Sequence, residues 1–172
     1  MTDTLPTPED PRIRELRAVL DAVTDPELDE SVVSLGFVSA IAVDDAARVS
    51  IGFRLPTYWC SANFAWIMAE DMRNAVSALP WVRDVSVILD EHMFAAEIND
   101  AINARDGSNR RTFADAFGAE ADGASLDAVR DTFARKAFNS RQLALLEALL
   151  TDGRDPAAIL SLPVAALPAL AH

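Results

Sequence analysis

"VSIGFRLPTYWCSANFAWIMAEDMRNAVSALPWVRDVSVILD", residues 49–90, decides the fold. It opens with Val49, Ile51, Phe53 and Leu55 at alternate positions, the spacing of a half-buried strand. From Ser61 to Leu79, the residues Phe64, Ile67, Met68, Met72, Val76 and Leu79 fall on one helical stripe, which Pro80 ends; the spacing predicts a helix of about five turns. Val85, Val87 and Leu89 then alternate as a further strand. Strand, long helix and strand make a crossover unit, so the two strands should lie parallel with a right-handed connection.

Working outward, Phe37, Ile41 and Val43 mark an earlier strand, joined to the first by the short polar "DDAA" at 44–47. So short a link predicts an antiparallel hairpin. Asp10 and Pro11 give a cap and a first-turn proline, and Ile13, Leu16, Leu20 and Val23 recur at helical spacing, so a helix is expected over 11–23. Pro26 disfavours helix at Asp25 and closes it. The expected fold class is α/β: a small mixed three-stranded sheet, built from an antiparallel hairpin plus a parallel βαβ crossover, packed by helices.

Beyond residue 92 only helical patterns follow, over 93–104, 110–118, 125–138 and 140–150, with a short one from Pro156. Ser125, Ser140 and Asp155 are candidate caps, and Gly123 and Gly153 candidate breaks. The expected organisation is a flexible N-terminus at 1–10, an α/β domain at 11–92 and an all-helical C-terminal extension at 93–172.

The 172 residues are 51% hydrophobic and 24% charged, ordinary for a chain that buries a core. Fifteen basic against 27 acidic residues give a net charge of -12, which disfavours nucleic acid and anionic membranes; a basic protein surface suits it better. The apolar stretch at 157–170 is too short to span a bilayer, is broken by Pro163 and Pro168, and is expected to dock as a tail. The opening "MTDTLPTPEDPR" has neither a basic n-region nor an apolar h-region, so no secretory signal is expected and the expected location is cytoplasmic.

The single cysteine, Cys60, excludes an internal disulfide and a closed all-cysteine metal site within one chain. If the crossover strands are parallel, three segments converge at one sheet edge: Asp25 to Glu27 with Gly36, Thr57 to Cys60, and Glu91 with His92. In open α/β sheets this edge is the usual ligand site. Cys60 also precedes the first turn of the long helix, where the dipole favours a thiolate, and from this an unusually reactive thiol is expected unless Asp25 and Glu27 point at it. The plainer readings stand beside these: a small buried cysteine, a turn for "TDPE", a surface histidine, and packing for Tyr58 and Trp59.

The order "DPEL" (25–28), "VVSLGFV" (32–38), a hairpin, "TYWC" (57–60) opening a helix and "LPWVRDVSVIL" (79–89) resembles the SufT/PaaD-like iron-sulfur cluster assembly domain family over about residues 12–91. Asp25, Pro26, Glu27, Leu35, Gly36, Thr57 and Cys60 occupy the places of the family's pattern. Three departures stand out. Pro56 replaces a frequent threonine, Ser61 replaces the proline that usually follows the cysteine, and no tryptophan-proline motif follows the last strand.

The resemblance implies an accessory factor in iron-sulfur cluster assembly or in maturation of a metal-containing enzyme, with an oxygenase component as one client type. It implies no catalysis, and it makes Cys60 the functional residue. The candidate cofactor-binding residues are then Cys60, Thr57, Asp25 and Glu27, and the candidate metal ligands Cys60 and His92. A [2Fe-2S] cluster takes four ligands as a rule. Iron or a cluster would therefore bind transiently, shared with a client, an assembly protein, a small thiol or the second chain of a homodimer whose Cys60 loops face each other. Two other readings stay open: a non-catalytic adaptor in which Cys60 is incidental, and a thiol enzyme, which lacks a basic partner unless His92 reaches Cys60.

Overall fold

The computed structural model describes residues 10–104, 112–118 and 126–163. Elements follow in the order α1 (Pro11–Leu20), β1 (Val38–Val43), β2 (Arg48–Arg54), α2 (Ala62–Ser77), β3 (Asp84–Asp90), α3 (Ala95–Ile102), α4 (Phe113–Phe117), α5 (Leu126–Thr151) and α6 (Pro156–Leu160). The chain forms two compact units, Met1–Arg130 and Asp131–His172.

In the first unit the sheet order is β1-β2-β3. β1 and β2 are antiparallel, with Val43 opposite Val49 and Ile41 opposite Ile51. β2 and β3 are parallel, with Val49, Ile51 and Phe53 beside Val85, Val87 and Leu89. The α/β class and the mixed three-stranded sheet are those the alternating patterns predict. The hairpin is closed by Asp44, whose carboxylate accepts the N–H groups of Ala46 and Arg48, while Ala47 takes a positive φ of 58°. This is side-chain turn chemistry in a link too short for anything but a reversal.

The buried alternate residues of β2 and β3 meet Leu16 and Leu20 of α1 and Met68, Met72 and Val76 of α2 in one core. Asp10 caps α1 by accepting the Arg12 N–H at 2.8 Å, as its position before Pro11 predicts. α1 ends at Leu20 rather than continuing to 23. Trp81 ties the connection before β3 to α1, its indole N–H donating to Glu15 at 2.7 Å.

α2 is buried on more than one stripe: Ala65, Trp66, Ile67, Met68 and Ala69 are all buried in succession. The second covering comes from α4, since the Trp66 ring meets Phe113 and Phe117 edge-on at 5.5 and 6.2 Å. Thr112 and Asp115 close a reciprocal capping box at the start of α4. Near the start of α5, Arg130 forks onto Asp71 and Glu70 of α2. Residues of α3 and α4 thus share the core of the sheet, and the first unit extends to Arg130.

The outer edge of β3 is sealed by side chains. Asn99 of α3 accepts the Leu89 N–H and donates to the Leu89 carbonyl, at 2.8 and 3.0 Å. Asn103 does the same for Val87, at 2.8 and 2.7 Å. Arg73 of α2 donates to the Val85 carbonyl.

The second unit holds most of α5, then α6. The spacing predicts two helices here, broken before a Ser140 cap; instead α5 runs unbroken through Ser140 to Thr151. Serine in a helix interior costs only a few tenths of a kcal/mol, about the price of an ordinary residue, and cannot by itself stop a helix. Gly153 (φ 78°) ends α5 in a Schellman pattern, with Arg154 N–H to Leu149 O and Gly153 N–H to Leu150 O. Asp155 caps α6 through the Ala158 N–H, as expected. Phe138, Leu143, Leu146 and Leu150 are exposed on α5. Gly123, Ser125, residues 1–9 and the tail beyond residue 163 lie outside the described residues. Among the described residues no helix is long and apolar enough to cross a membrane.

Candidate functional site

The parallel pairing of β2 and β3 puts their C-terminal ends on one edge, and backbone bonds there draw three loops together. Arg54 N–H donates to the Phe37 carbonyl, and Met93 N–H to the Tyr58 carbonyl. Cys60 lies at this junction, one residue before Ser61, the N-cap of α2. Its thiol is partly exposed.

His92 is buried at 4% exposure and tied directly to the cysteine loop. The Phe94 N–H donates to its Nδ1 at 3.2 Å, so Nδ1 carries no proton in this arrangement, and Nε2–H donates to the Cys60 carbonyl at 2.9 Å. Both ring nitrogens are therefore engaged. The candidate metal ligand His92 meets the cysteine through the backbone and holds its loop in place. Glu91, beside it, adopts φ 51°, the left-handed turn that swings the chain from the end of β3 into this contact.

Asp25 is buried at 6% exposure. One carboxylate oxygen accepts the N–H groups of Glu27 and Leu28 at 2.8 and 2.9 Å. Its own N–H donates to the Glu30 carbonyl, and its carbonyl accepts from Asp29. "DPEL" is thus a loop wound on an aspartate, with Asp29 at φ 58° completing the reversal. Glu27 is exposed. Thr57 is also exposed, and its carbonyl accepts the Cys60 N–H at 3.4 Å.

The electrostatics correct one expectation. Burial pushes the Cys60 thiol pKa up; a hydrogen bond from the Ser61 N–H opposes this, and the negative charges of Asp25 and Glu27 push it further up. The helix start supplies one N–H, which is not enough against desolvation and two carboxylates. The thiol stays protonated to higher pH than an ordinary cysteine. A pH series of iodoacetamide alkylation should accordingly give an apparent pKa above about 8.5, and Glu27→Gln should bring it down. A value of 7 or below would show that the helix dipole dominates.

The site is therefore a thiol in a negatively charged, half-dry setting, a poor nucleophile at neutral pH. Among the described residues, no group of three or more His, Cys, Asp or Glu side chains is placed to hold a metal ion. Cys60 is the soft donor, with carboxylate charge close enough to be felt at sulfur. Such a donor set fits a single soft or borderline cation that brings further ligands with it, and does not fit a complete cluster. At the same strand ends, Arg54, Leu55, Pro56, Tyr58 and Glu91 line an open groove of about 560 Å³, with Arg54 and Glu91 paired at 3.2 Å.

What sequence reasoning missed here is the role of His92 as a clamp on the Cys60 carbonyl. The signal was faint: a histidine just past a strand end, paired in space with a backbone atom that no residue pattern marks.

Residues 13–88 match the model of a family described as iron-sulfur cluster assembly protein. The chain is 28% identical over 87 residues to an uncharacterized protein of Methanocaldococcus jannaschii, covering 51% of this chain and 90% of that one. The crystal structure of a domain of unknown function, DUF59, from Bacillus anthracis aligns with a TM-score of 0.41 and 27% identity, over 44% of this chain and 71% of that one.

Proposed function

Residues 13–88 being an iron-sulfur cluster assembly-like domain, we propose that the chain is an accessory factor that holds or hands over iron, or part of a cluster, through Cys60. The observation that carries this reading is the charge around the thiol. Burial raises its pKa, and Asp25 and Glu27 raise it further, which weakens it as a nucleophile and disfavours thiol-enzyme chemistry. The same two charges favour a cation arriving at sulfur. A metal ion bound there would displace the thiol proton, since a coordinating thiol is deprotonated outright. A proton held this firmly competes with the metal for sulfur, and the weaker hold that results suits cargo in transit.

His92 fixes the Cys60 carbonyl, and Ser61 N–H holds the sulfur, so the donor is presented from a rigid helix start. The remaining ligands come from outside the chain: a client, an assembly protein or a small thiol. The client is a metal-containing enzyme in this reading, and the site is not catalytic.

Anaerobic incubation with ferrous iron and sulfide, followed by native mass spectrometry, tests it. Iron should be retained only when a second thiol source is present, and Cys60→Ser should reduce retention at least about tenfold, as expected for loss of the one soft donor. An intact cluster on a monomer with no added thiol refutes the shared-ligand reading. Equal retention by Cys60→Ser refutes the role of Cys60 and leaves a pure adaptor.

A further inference from the structure

Among the described residues of the first unit, the exposed large apolar side chains are Leu28 (53%), Tyr58 (52%), Trp59 (73%) and Met93 (39%). They are not scattered. All four come from the three loops that converge on Cys60: Leu28 from the loop wound on Asp25, Tyr58 and Trp59 from the cysteine loop, and Met93 from the segment bonded to Tyr58. Tyr58 and Trp59 pack edge-on at 5.1 Å, so the two rings brace each other outside the core. Isolated exposed apolar residues are ordinary, but a group of Trp, Tyr, Met and Leu at one place has the composition of an interface centre.

The rim is acidic. Glu27, Glu30 and Asp90 are exposed on the same loops. No lysine or arginine occurs in residues 25–36, 55–64 or 90–94, and the neighbouring Arg54 is already paired with Glu91. A symmetric contact between two copies would set these carboxylates against themselves, since a two-fold axis presents the same patch from both sides. Charge complementarity instead selects a partner of opposite sign.

We propose that the loops around Cys60 are a docking surface for a different protein, whose contact face is an apolar cleft rimmed by lysine or arginine, with Trp59 as the anchor that enters the cleft. The surface rests on the iron-transfer reading only in placing that partner as the receiver or donor of what Cys60 carries. Docking here would cover the thiol, exclude water from it and bring the partner's ligands within reach.

The test places a photo-crosslinking phenylalanine analogue at position 59 of the full chain in its source organism, identifies the cross-linked protein and measures its binding as the purified pair. The cross-linked face should carry lysine or arginine around an apolar cleft. Trp59→Ala should weaken the pair about tenfold or more, as loss of an interface anchor does. Glu27→Lys with Glu30→Lys should also weaken it, and binding should fall with added salt. At 73% exposure Trp59 contributes little to folding, and an unchanged thermal midpoint verifies that for each variant. Cross-linking to a second copy, to an acidic face or to nothing overturns the proposal, as does unchanged affinity in Trp59→Ala. A basic partner that binds through Trp59 but neither holds nor accepts iron would sink the iron-transfer reading and leave the docking surface standing. A partner that receives iron equally well from the wild type and from Trp59→Ala, at equal affinity, would do the reverse.

Discussion

Replacing Trp66 by alanine is expected to cost about 3–5 kcal/mol of stability, the range for truncating a buried aromatic in a packed core. Trp66 is 2% exposed and lies between α2 and the aromatic pair Phe113 and Phe117 of α4. Phe113 and Phe117 themselves stack at 4.6 Å, and Phe94 meets Phe117 edge-on at 5.3 Å. Removing the indole therefore opens a void in a layer of rings that joins α2, α4 and the segment after β3. Neighbouring rings cannot collapse into it without losing their own edge contacts. At roughly 2–4 °C per kcal/mol for a chain of this size, the unfolding midpoint should drop by roughly 6–20 °C. Urea denaturation followed by near-ultraviolet circular dichroism reads the first value and a thermal scan with the same signal reads the second, with the surface variant Trp59→Ala as a reference near zero. A loss below 1 kcal/mol would mean that α4 does not close the core as described.

The second large effect is expected at His92. His92→Leu keeps the bulk but removes a donor to the Cys60 carbonyl and an acceptor for the Phe94 N–H. Each buried polar group left unpaired costs about 1–3 kcal/mol, and water can reach the partly exposed Cys60 side, so about 2–4 kcal/mol is expected in all. The more telling consequence is local. With its carbonyl released, the Cys60 loop should loosen and the thiol should be alkylated faster at fixed pH, while its backbone amides exchange sooner. His92→Gln, whose amide N–H can reach the same carbonyl, should recover part of the loss. If alkylation rates stay equal across His92, His92→Leu and His92→Gln, the histidine does not position the cysteine loop.

The sheet was legible because period-two alternation in Val49–Leu55 and Val85–Leu89 and period-3.6 spacing between them each have one structural solution. The meeting of the loops was legible for a related reason: parallel strands bring their C-terminal ends together whatever the side chains are, which placed Asp25, Glu27, Cys60 and His92 in one region. Burial beyond one stripe was not legible. Trp66 lies off the stripe of Phe64, Ile67 and Met68, and only a second covering element, α4, makes it core. The thiol's acidity was misjudged chiefly because the burial of Cys60, the largest influence on it, cannot be read from the helix start, and the charges of Asp25 and Glu27 act in the same direction. The continuity of α5 was missed because serine is a good cap, yet it is also tolerated within a helix. Asn99 and Asn103 drew no attention, for their work is done against backbone atoms of another element.

Those two asparagines have a geometric meaning. Four residues of helix advance about 6.0 Å, and two residues of strand about 6.6 Å. Asn99 lies on α3 and Asn103, four residues on, is its C-cap, while Leu89 and Val87 are two apart on β3. The mismatch of about half an ångström is small enough for flexible amide side chains to absorb. Each asparagine carries one C=O and one NH₂, the same pair of groups that a peptide unit offers, so α3 impersonates a fourth strand. A counterfeit strand saturates the edge without extending it, which among the described residues leaves β1 as the margin where this sheet could recruit a real one. It also makes the helix a ruler: inserting a single residue between Asn99 and Asn103 would turn one amide by about 100° away from the strand and reopen half of that margin.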